Sequence, residues 1–298
     1  MGNLAILFPG QGAQTVGMGK EIYDALPAVK QLYAKANDIV GYDLTKICLE
    51  GPAELLDTTV HSQPAIFLTS MAALEQLRQS DPEAVEQCKA TAGLSLGEYT
   101  ALVFAGAISF EDGLRLVQTR GQAMQKASEM SQGGMVSILG LDTEKVEELC
   151  TQAEQCGTLK VANYLCPGNI VVSGENAACE QIAELASQAG AIKVVPLAVA
   201  GAFHTSLMEP ARIALNEVLD STTIVAPRIP VISNVDAQSH SDPAEIRRIL
   251  LAQLCSPVRW EVSMRALLDK DFDAFYEIGP GRVLRGLMKR INRKVKLN

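Results

Sequence analysis

The 298-residue sequence predicts an α/β protein built on a parallel sheet, and three observations lead there. Gly93-Leu94-Ser95-Leu96-Gly97 follows the apolar stretch Ala90-Thr91-Ala92 and precedes helix formers through Val103, the strand–turn–helix setting of a nucleophile elbow. Strand and helix patterns alternate through both ends of the chain, the order that builds parallel sheets. From Met135 to Leu197 the order becomes β-α-β-β-α-β, that of a ferredoxin-like unit. The chain therefore divides into a large α/β catalytic domain, residues 1–129 and 199–298, and a small ferredoxin-like subdomain, residues 130–198, inserted into it.

Leu4 to Phe8 is a short apolar run closed by Pro9-Gly10-Gln11-Gly12, a buried strand followed by a glycine turn. That turn lacks the glycine at Thr15 that a dinucleotide fingerprint needs, and Gly19-Lys20 is followed by Glu21 where a phosphate loop has Ser or Thr. Residues 17–40 and Gln63–Gln79 read as helices, with Pro64 in the first turn of the second. Ala90 to Leu94 is the strand before the elbow, and Ser109 opens a long helix with Phe110, Leu114, Val117, Gly121 and Met124 along one face. In the insert, strands are expected over 135–139, 159–164, 169–173 and 192–197, with helices over 143–155 and 176–188. The larger pattern then resumes: helix 206–219, strand 230–233, helix 243–254, strand 274–277 and a closing helix from Val283.

Hydrophobic residues at 48% and charged residues at 20% describe a globular enzyme with a core that needs no cross-links. Seven cysteines without a Cys-x-x-Cys pair, beside three histidines, give no zinc spacing and read as reduced, mostly buried thiols of a cytoplasmic protein. The start Met1-Gly2-Asn3-Leu4-Ala5-Ile6 lacks the basic and apolar regions of a signal peptide, and no apolar run reaches the roughly 18 residues of a membrane span. A net charge of −8 argues against nucleic-acid binding, which depends on neutralising phosphates. Lys289, Arg290, Arg293, Lys294 and Lys296 crowd the C-terminus, as either a solvated tail or an anion-docking patch.

A serine at the elbow tip needs a base to take its proton, and histidine is the usual one at neutral pH. His61 lies beside a helix start and His240 in the polar turn Ser239-His240-Ser241-Asp242, whereas His204 follows the apolar run 194–203 and is expected at a strand end on the edge where the elbow lies. No acidic residue announces itself in the serine–acid–histidine order of α/β-hydrolases, so a Ser95–His204 dyad with a backbone carbonyl orienting the imidazole fits best. On the 110–127 helix Arg115 shares a polar face and reads as a solvated charge. Arg120 has Leu116, Val117 and Met124 as neighbours and needs an anion, either a protein carboxylate or a substrate carboxylate held bidentately.

With the elbow, His204 and Arg120 together, the chain resembles the malonyl-CoA:acyl carrier protein transacylases nearly end to end. The matching blocks are Phe8-Pro9-Gly10-Gln11-Gly12-Ala13-Gln14, Gln63-Pro64-Ala65-Ile66, Ser95-Leu96-Gly97-Glu98-Tyr99, Gln118-Thr119-Arg120-Gly121, Gly201-Ala202-Phe203-His204 with Leu207-Met208, Ser233-Asn234-Val235, and Glu277-Ile278-Gly279-Pro280-Gly281. The resemblance implies a hydrolase-like α/β domain with a ferredoxin-like insert. It also implies ping-pong transfer of malonyl from malonyl-CoA through Ser95 to the phosphopantetheine thiol of holo acyl carrier protein, with no cofactor resident on this chain. It makes His204 the base, Arg120 the ligand of the malonyl carboxylate, and the Gln11 and Leu96 amides the oxyanion hole. Gln253 lies where the backbone orients the histidine. Gln63, Met124 and Asn163 join the substrate-binding set, and Phe203 favours malonyl over its α-methyl homologue.

A monomer is expected, docking an acidic carrier through basic residues for which Lys289, Arg290 and Arg293 are candidates. Two positions depart from the family: Leu94 stands where a histidine usually precedes the serine, and Leu165 where many relatives carry asparagine. The alternatives are an acyl hydrolase that clears misloaded carriers, a polyketide-pathway acyltransferase of the same fold, and a non-catalytic homologue.

Overall fold

The computed structural model describes residues 3–298; Met1 and Gly2, the start of the segment read for a leader, lie outside the described residues. β1 (Asn3–Phe8) is apolar from Leu4 onward because both of its faces are covered there. It lies at the centre of a parallel sheet of order β7-β2-β1-β8-β9, with β2 (Cys88–Gly93), β7 (Val231–Ile232), β8 (Phe272–Glu277) and β9 (Lys296–Leu297). Alternate β1 side chains serve two layers. Ala5 and Leu7 pack with Trp260, Met264, Leu284 and Met288, from α13 (Trp260–Leu268) and α14 (Val283–Ile291). Ile6 and Phe8 face the larger core.

That larger core is filled from α1 (Lys20–Ala25), α2 (Pro27–Val40), α3 (Leu44–Glu50), α4 (Ala53–Leu56), α5 (Thr59–Ser80) and α6 (Pro82–Glu86). It also takes in α7 (Gly97–Phe104), α8 (Phe110–Met130), α11 (Glu209–Ser221) and α12 (Pro243–Gln253). The single helix expected over 17–40 is two helices starting only at Lys20. Gly17 and Gly19 are left-handed (φ 90° and 78°), and Leu26 is extended ahead of Pro27, as the ring of a following proline demands. The helix expected from Gln63 starts four residues earlier, where the extended Thr58 accepts the Ser62 N–H, so Pro64 is internal and not in the first turn. The 206–219 helix begins as a 3₁₀ turn, Ser206–Met208, with α11 starting beside Pro210. The 230–233 strand keeps only Val231–Ile232, since Pro230 has no N–H to pair and Ser233 turns to bond Gln238.

The insert forms a second sheet, antiparallel, of order β4-β5-β3-β6, from β3 (Gly133–Leu139), β4 (Leu159–Cys166), β5 (Asn169–Glu175) and β6 (Lys193–Pro196). α9 (Thr143–Ala153), running into a 3₁₀ turn at Glu154–Cys156, and α10 (Asn176–Gln188) cover one face. Val136, Ile138, Val161, Ile170 and Val172 pack under these helices, while their neighbours Met135, Ala162 and Val171 join the main core, the period of two that a sheet covered on both sides requires. A two-bond stitch fastens β4 to the segment before α13: Tyr164 N–H donates to Val258 O at 2.9 Å and Val258 N–H to Ala162 O at 2.8 Å. No helix among the described residues is long and apolar enough to cross a membrane.

Candidate active site

At the end of β2 the chain turns within three residues into α7, and steric necessity dictates its glycines. A Cβ on Gly93 would lie 1.8 Å from Gly97 C, and one on Gly97 would lie 2.2 Å from Phe8 O. Ser95 takes φ 50°, a conformation that L-residues avoid, at the tip of the turn. Asn234, in the loop after β7, clamps the turn from both sides. Its Oδ1 accepts the Ser95 N–H at 2.6 Å and its Nδ2 donates to Gly93 O at 2.8 Å.

His204 sits 2.9 Å from Ser95 Oγ through Nε2, though not at the end of a parallel-sheet strand as its sequence position suggests. The strand before it, β6, belongs to the antiparallel sheet, and the histidine lies on the loop that carries the chain back, also left-handed at φ 62°. The Gln253 carbonyl at the C-terminus of α12 accepts from Nδ1 at 2.9 Å, which fixes the tautomer with its lone pair on Nε2. Burial, then the nearby Arg120 charge, hold the imidazole down to about 4, so it is neutral at physiological pH.

Arg120 projects from the buried face of α8, 1% exposed. α8 starts where Ser109 accepts the Asp112 N–H, and it lies close against α5, since a Cβ on Gly121 would reach 2.6 Å from Thr59 O. The guanidinium donates to Gln63 Oε1 at 2.8 Å, Gln253 Oε1 at 3.1 Å and Ser95 Oγ at 2.9 Å, with the Tyr99 ring 5.4 Å away. Its direct partners are amide and hydroxyl oxygens rather than a protein carboxylate. Burial lowers its pKa, and the Glu98 charge acts on it only at longer range.

Ser95, with Arg120 bonded to its Oγ, and His204 border a cavity of about 450 Å³ whose walls include Gln11, Met124, Asn163 and Phe203, with Met135 and Val171 contributed by the antiparallel sheet. Gln63 is fully buried behind Arg120, donating to the Met124 sulfur at 3.4 Å. Among the described residues the Gln11 and Leu96 N–H groups have no intramolecular acceptor, and Gln11 Nε2 leans on Thr59 Oγ1 at 3.4 Å. Leu94 and Leu165 both face the cavity, so apolar surface occupies the positions of the family's usual histidine and asparagine.

Other sequence candidates lie elsewhere. His61 bonds Thr58, and His240 lies between Asp236 and Glu245. Arg115 is exposed and paired with Asp112. Lys289, Arg290 and Arg293 are exposed on and after α14, whose first residue Val283 touches the cavity, and Arg290 donates to Pro167 O.

Two site residues carried no sequence role beyond their place in matching blocks: Asn234, and Glu98, which is 3% exposed one turn after the nucleophile. The sequence signal for Glu98 is that it is the sole charge in the helix Gly97–Phe104.

Residues 6–296 match the family described as the acyl transferase domain. A Bacillus subtilis protein named malonyl CoA-acyl carrier protein transacylase is 44% identical over 99% of this chain and 92% of its own length. The Escherichia coli protein of that name is 39% identical over 98% and 93%. Among solved structures, an acyl carrier protein S-malonyltransferase from Vibrio cholerae superposes with a TM-score of 0.94 at 39% identity, covering 99% of this chain and 95% of that one. A malonyl-transacylase in complex with its type II polyketide acyl carrier protein gives 0.94 at 38%, covering 99% and 94%.

Proposed function

This chain belongs to the acyl transferase domain family, and from that premise we propose that it moves malonyl from malonyl-CoA to the phosphopantetheine thiol of holo acyl carrier protein through an ester on Ser95. One observation carries the choice of acyl group. A buried guanidinium, 2.9 Å from the Ser95 oxygen, has only neutral partners, so the site has a place for a carboxylate within reach of an acyl group on that oxygen. Malonyl fits this requirement, and acetyl leaves the charge unanswered.

His204, neutral with its lone pair on Nε2, takes the Ser95 proton as the oxygen attacks the thioester carbonyl. The unpaired Gln11 and Leu96 N–H groups, with the N-terminus of α7 behind, receive the oxyanion. As the tetrahedral intermediate collapses, the C–S bond breaks and coenzyme A leaves as a thiol with the proton held by His204. The second half reverses these roles. The carrier's pantetheine thiol gives its proton to His204, the thiolate attacks the ester, and Ser95 leaves with the proton. No resident cofactor enters, since the pantetheine arm arrives on the partner.

Phe203 in the cavity wall crowds an α-methyl branch. The exposed Lys289, Arg290 and Arg293 are the proposed attraction for an acidic carrier. A monomer is the proposed working unit. Intact-mass analysis of holo carrier protein incubated with malonyl-CoA and this protein tests the reading. A malonyl adduct that Ser95→Ala abolishes supports it, whereas free malonate and coenzyme A without an adduct make the protein a hydrolase.

A further inference from the structure

Glu98 is a carboxyl group buried in the first turn of α7, where its desolvation is costly. Its direct partners are two N–H donors converging on one oxygen, Oε2: the Asn234 backbone at 3.0 Å and Gln253 Nε2 at 2.7 Å. Each donor belongs to a residue that holds part of the reacting machinery. Asn234 clamps the Ser95 and Gly93 backbone through its side chain. Gln253 accepts His204 on its carbonyl and Arg120 on its side-chain oxygen, while the Nε2 that meets Glu98 also donates to Ser95 O at 3.0 Å.

We propose that Glu98 is a positioning residue: its Oε2 ties the clamp on the Ser95 elbow to the residue that aims both His204 and Arg120, so that all three act from one frame. This rests on reading Ser95 as the nucleophile. Without the tie, Asn234 and Gln253 approach from separate elements, the β7 loop and the end of α12, with only Ser95 between them. Glutamine in its place either accepts both donors on a weaker oxygen or turns an NH₂ against them. The expected loss is therefore chiefly in turnover, since Arg120 keeps its bond to Gln63 while the serine and histidine lose their common tie.

Protonation is a second signature. Burial lifts the Glu98 carboxyl up to about 7, opposed by the Gln253 and Asn234 hydrogen bonds and by Arg120 on α8, and supported by Asp236 from the β7 loop. Tyr99, on its own helix, also feels its charge. Burial and the Arg120 charge hold His204 down to about 4, so an acid limb in kcat near neutral pH is expected from Glu98.

The test compares wild type, Glu98→Gln and Glu98→Asp in malonyl transfer to holo carrier protein, with kcat expressed per serine labelled by a fluorophosphonate probe. Glu98→Gln is expected to lose roughly tenfold or more in kcat, with KM for malonyl-CoA within about twofold and without the acid limb. Glu98→Asp keeps the charge and restores the limb with an intermediate kcat. Wild-type kcat per labelled serine in Glu98→Gln, or an unchanged acid limb, overturns the proposal, as does failure of both variants to fold, which makes Glu98 a folding residue only. If the wild type labels on Ser95 yet transfers no malonyl, the functional reading fails, and the labelling rates of the variants still decide the role of Glu98.

Discussion

The turn carrying Ser95 and the loop carrying His204 bring two left-handed residues to one hydrogen bond, yet they are held by opposite means. The turn is shaped first by its own sequence, glycines that admit no Cβ beside an adjoining strand, with the distant Asn234 clamping the result. The histidine loop is aimed from a distance, by one carbonyl at the end of α12. A locally enforced geometry is written in a short motif, and a remotely enforced one is not.

The comparison breaks most sharply with Gly93→Ala, whose Cβ would meet backbone at 1.8 Å. This variant is expected to yield no folded protein by circular dichroism, whereas Gly201→Ala, whose Cβ would meet Ser128 Oγ at 2.2 Å and Cβ at 2.5 Å, is expected to fold with a shift of the His204 loop. His204→Ala should still fold, with the stranded Gln253 carbonyl costing about 1–3 kcal/mol, while reducing transfer by about 10²–10⁴-fold, the usual share of a general base. Equal losses of stability at both residues would erase the distinction.

Arg120→Ala is expected to lower malonyl transfer by roughly 10–100-fold, the worth of a charge-assisted pair, while sparing or raising transfer of acetyl. Equal loss for both acyl groups would make the arginine structural. Asn234→Ala, which leaves the Ser95 N–H and the Gly93 carbonyl unpaired, should cost about 1–3 kcal/mol per stranded group in urea unfolding.

The smallest effect sharpens the contrast in pH. His204 is held below its ordinary 6.5, at about 4, so its contribution to stability is present above 6.5 and is lost as pH falls toward 4. Glu98 is raised from 4.5 to about 7, so its contribution is present below 4.5 and is lost as pH rises toward 7. The two oppose each other in the wild type. Glu98→Gln is expected to unmask a rise in stability between pH 4 and 6.5, on the order of 3 kcal/mol, readable from melting temperatures. A flat profile in that variant would place the imidazole in a more solvated setting than its 5% exposure indicates.

Legibility followed the same division. The elbow, the insert's strand order and the 176–188 helix rest on local spacing, and the structure has them at those places. α3, α4 and α6 are too short for periodicity, although Asp43 and Asp81 cap two of them, while α13 carries Trp260, Met264 and Leu267 at i, i+4 and i+7, a signal that sequence alone offers. The sequence position of His204 points to a parallel-sheet strand end it does not occupy, since spacing along the chain does not show that β6 belongs to the other sheet. Arg120's neutral partners, Gln63 and Gln253, come from α5 and α12, and no spacing along α8 reveals them.

The stitch between β4 and Val258 makes the insert a fixed wall. Swinging it outward as a hinged door breaks two backbone bonds, each worth about 1 kcal/mol net, and uncovers Met135, Ala162 and Val171 from the shared core. Acyl groups larger than the cavity therefore gain entry by trimming the side chains that line it, and a swap of Phe203 changes the guest list more readily than any loosening of the insert.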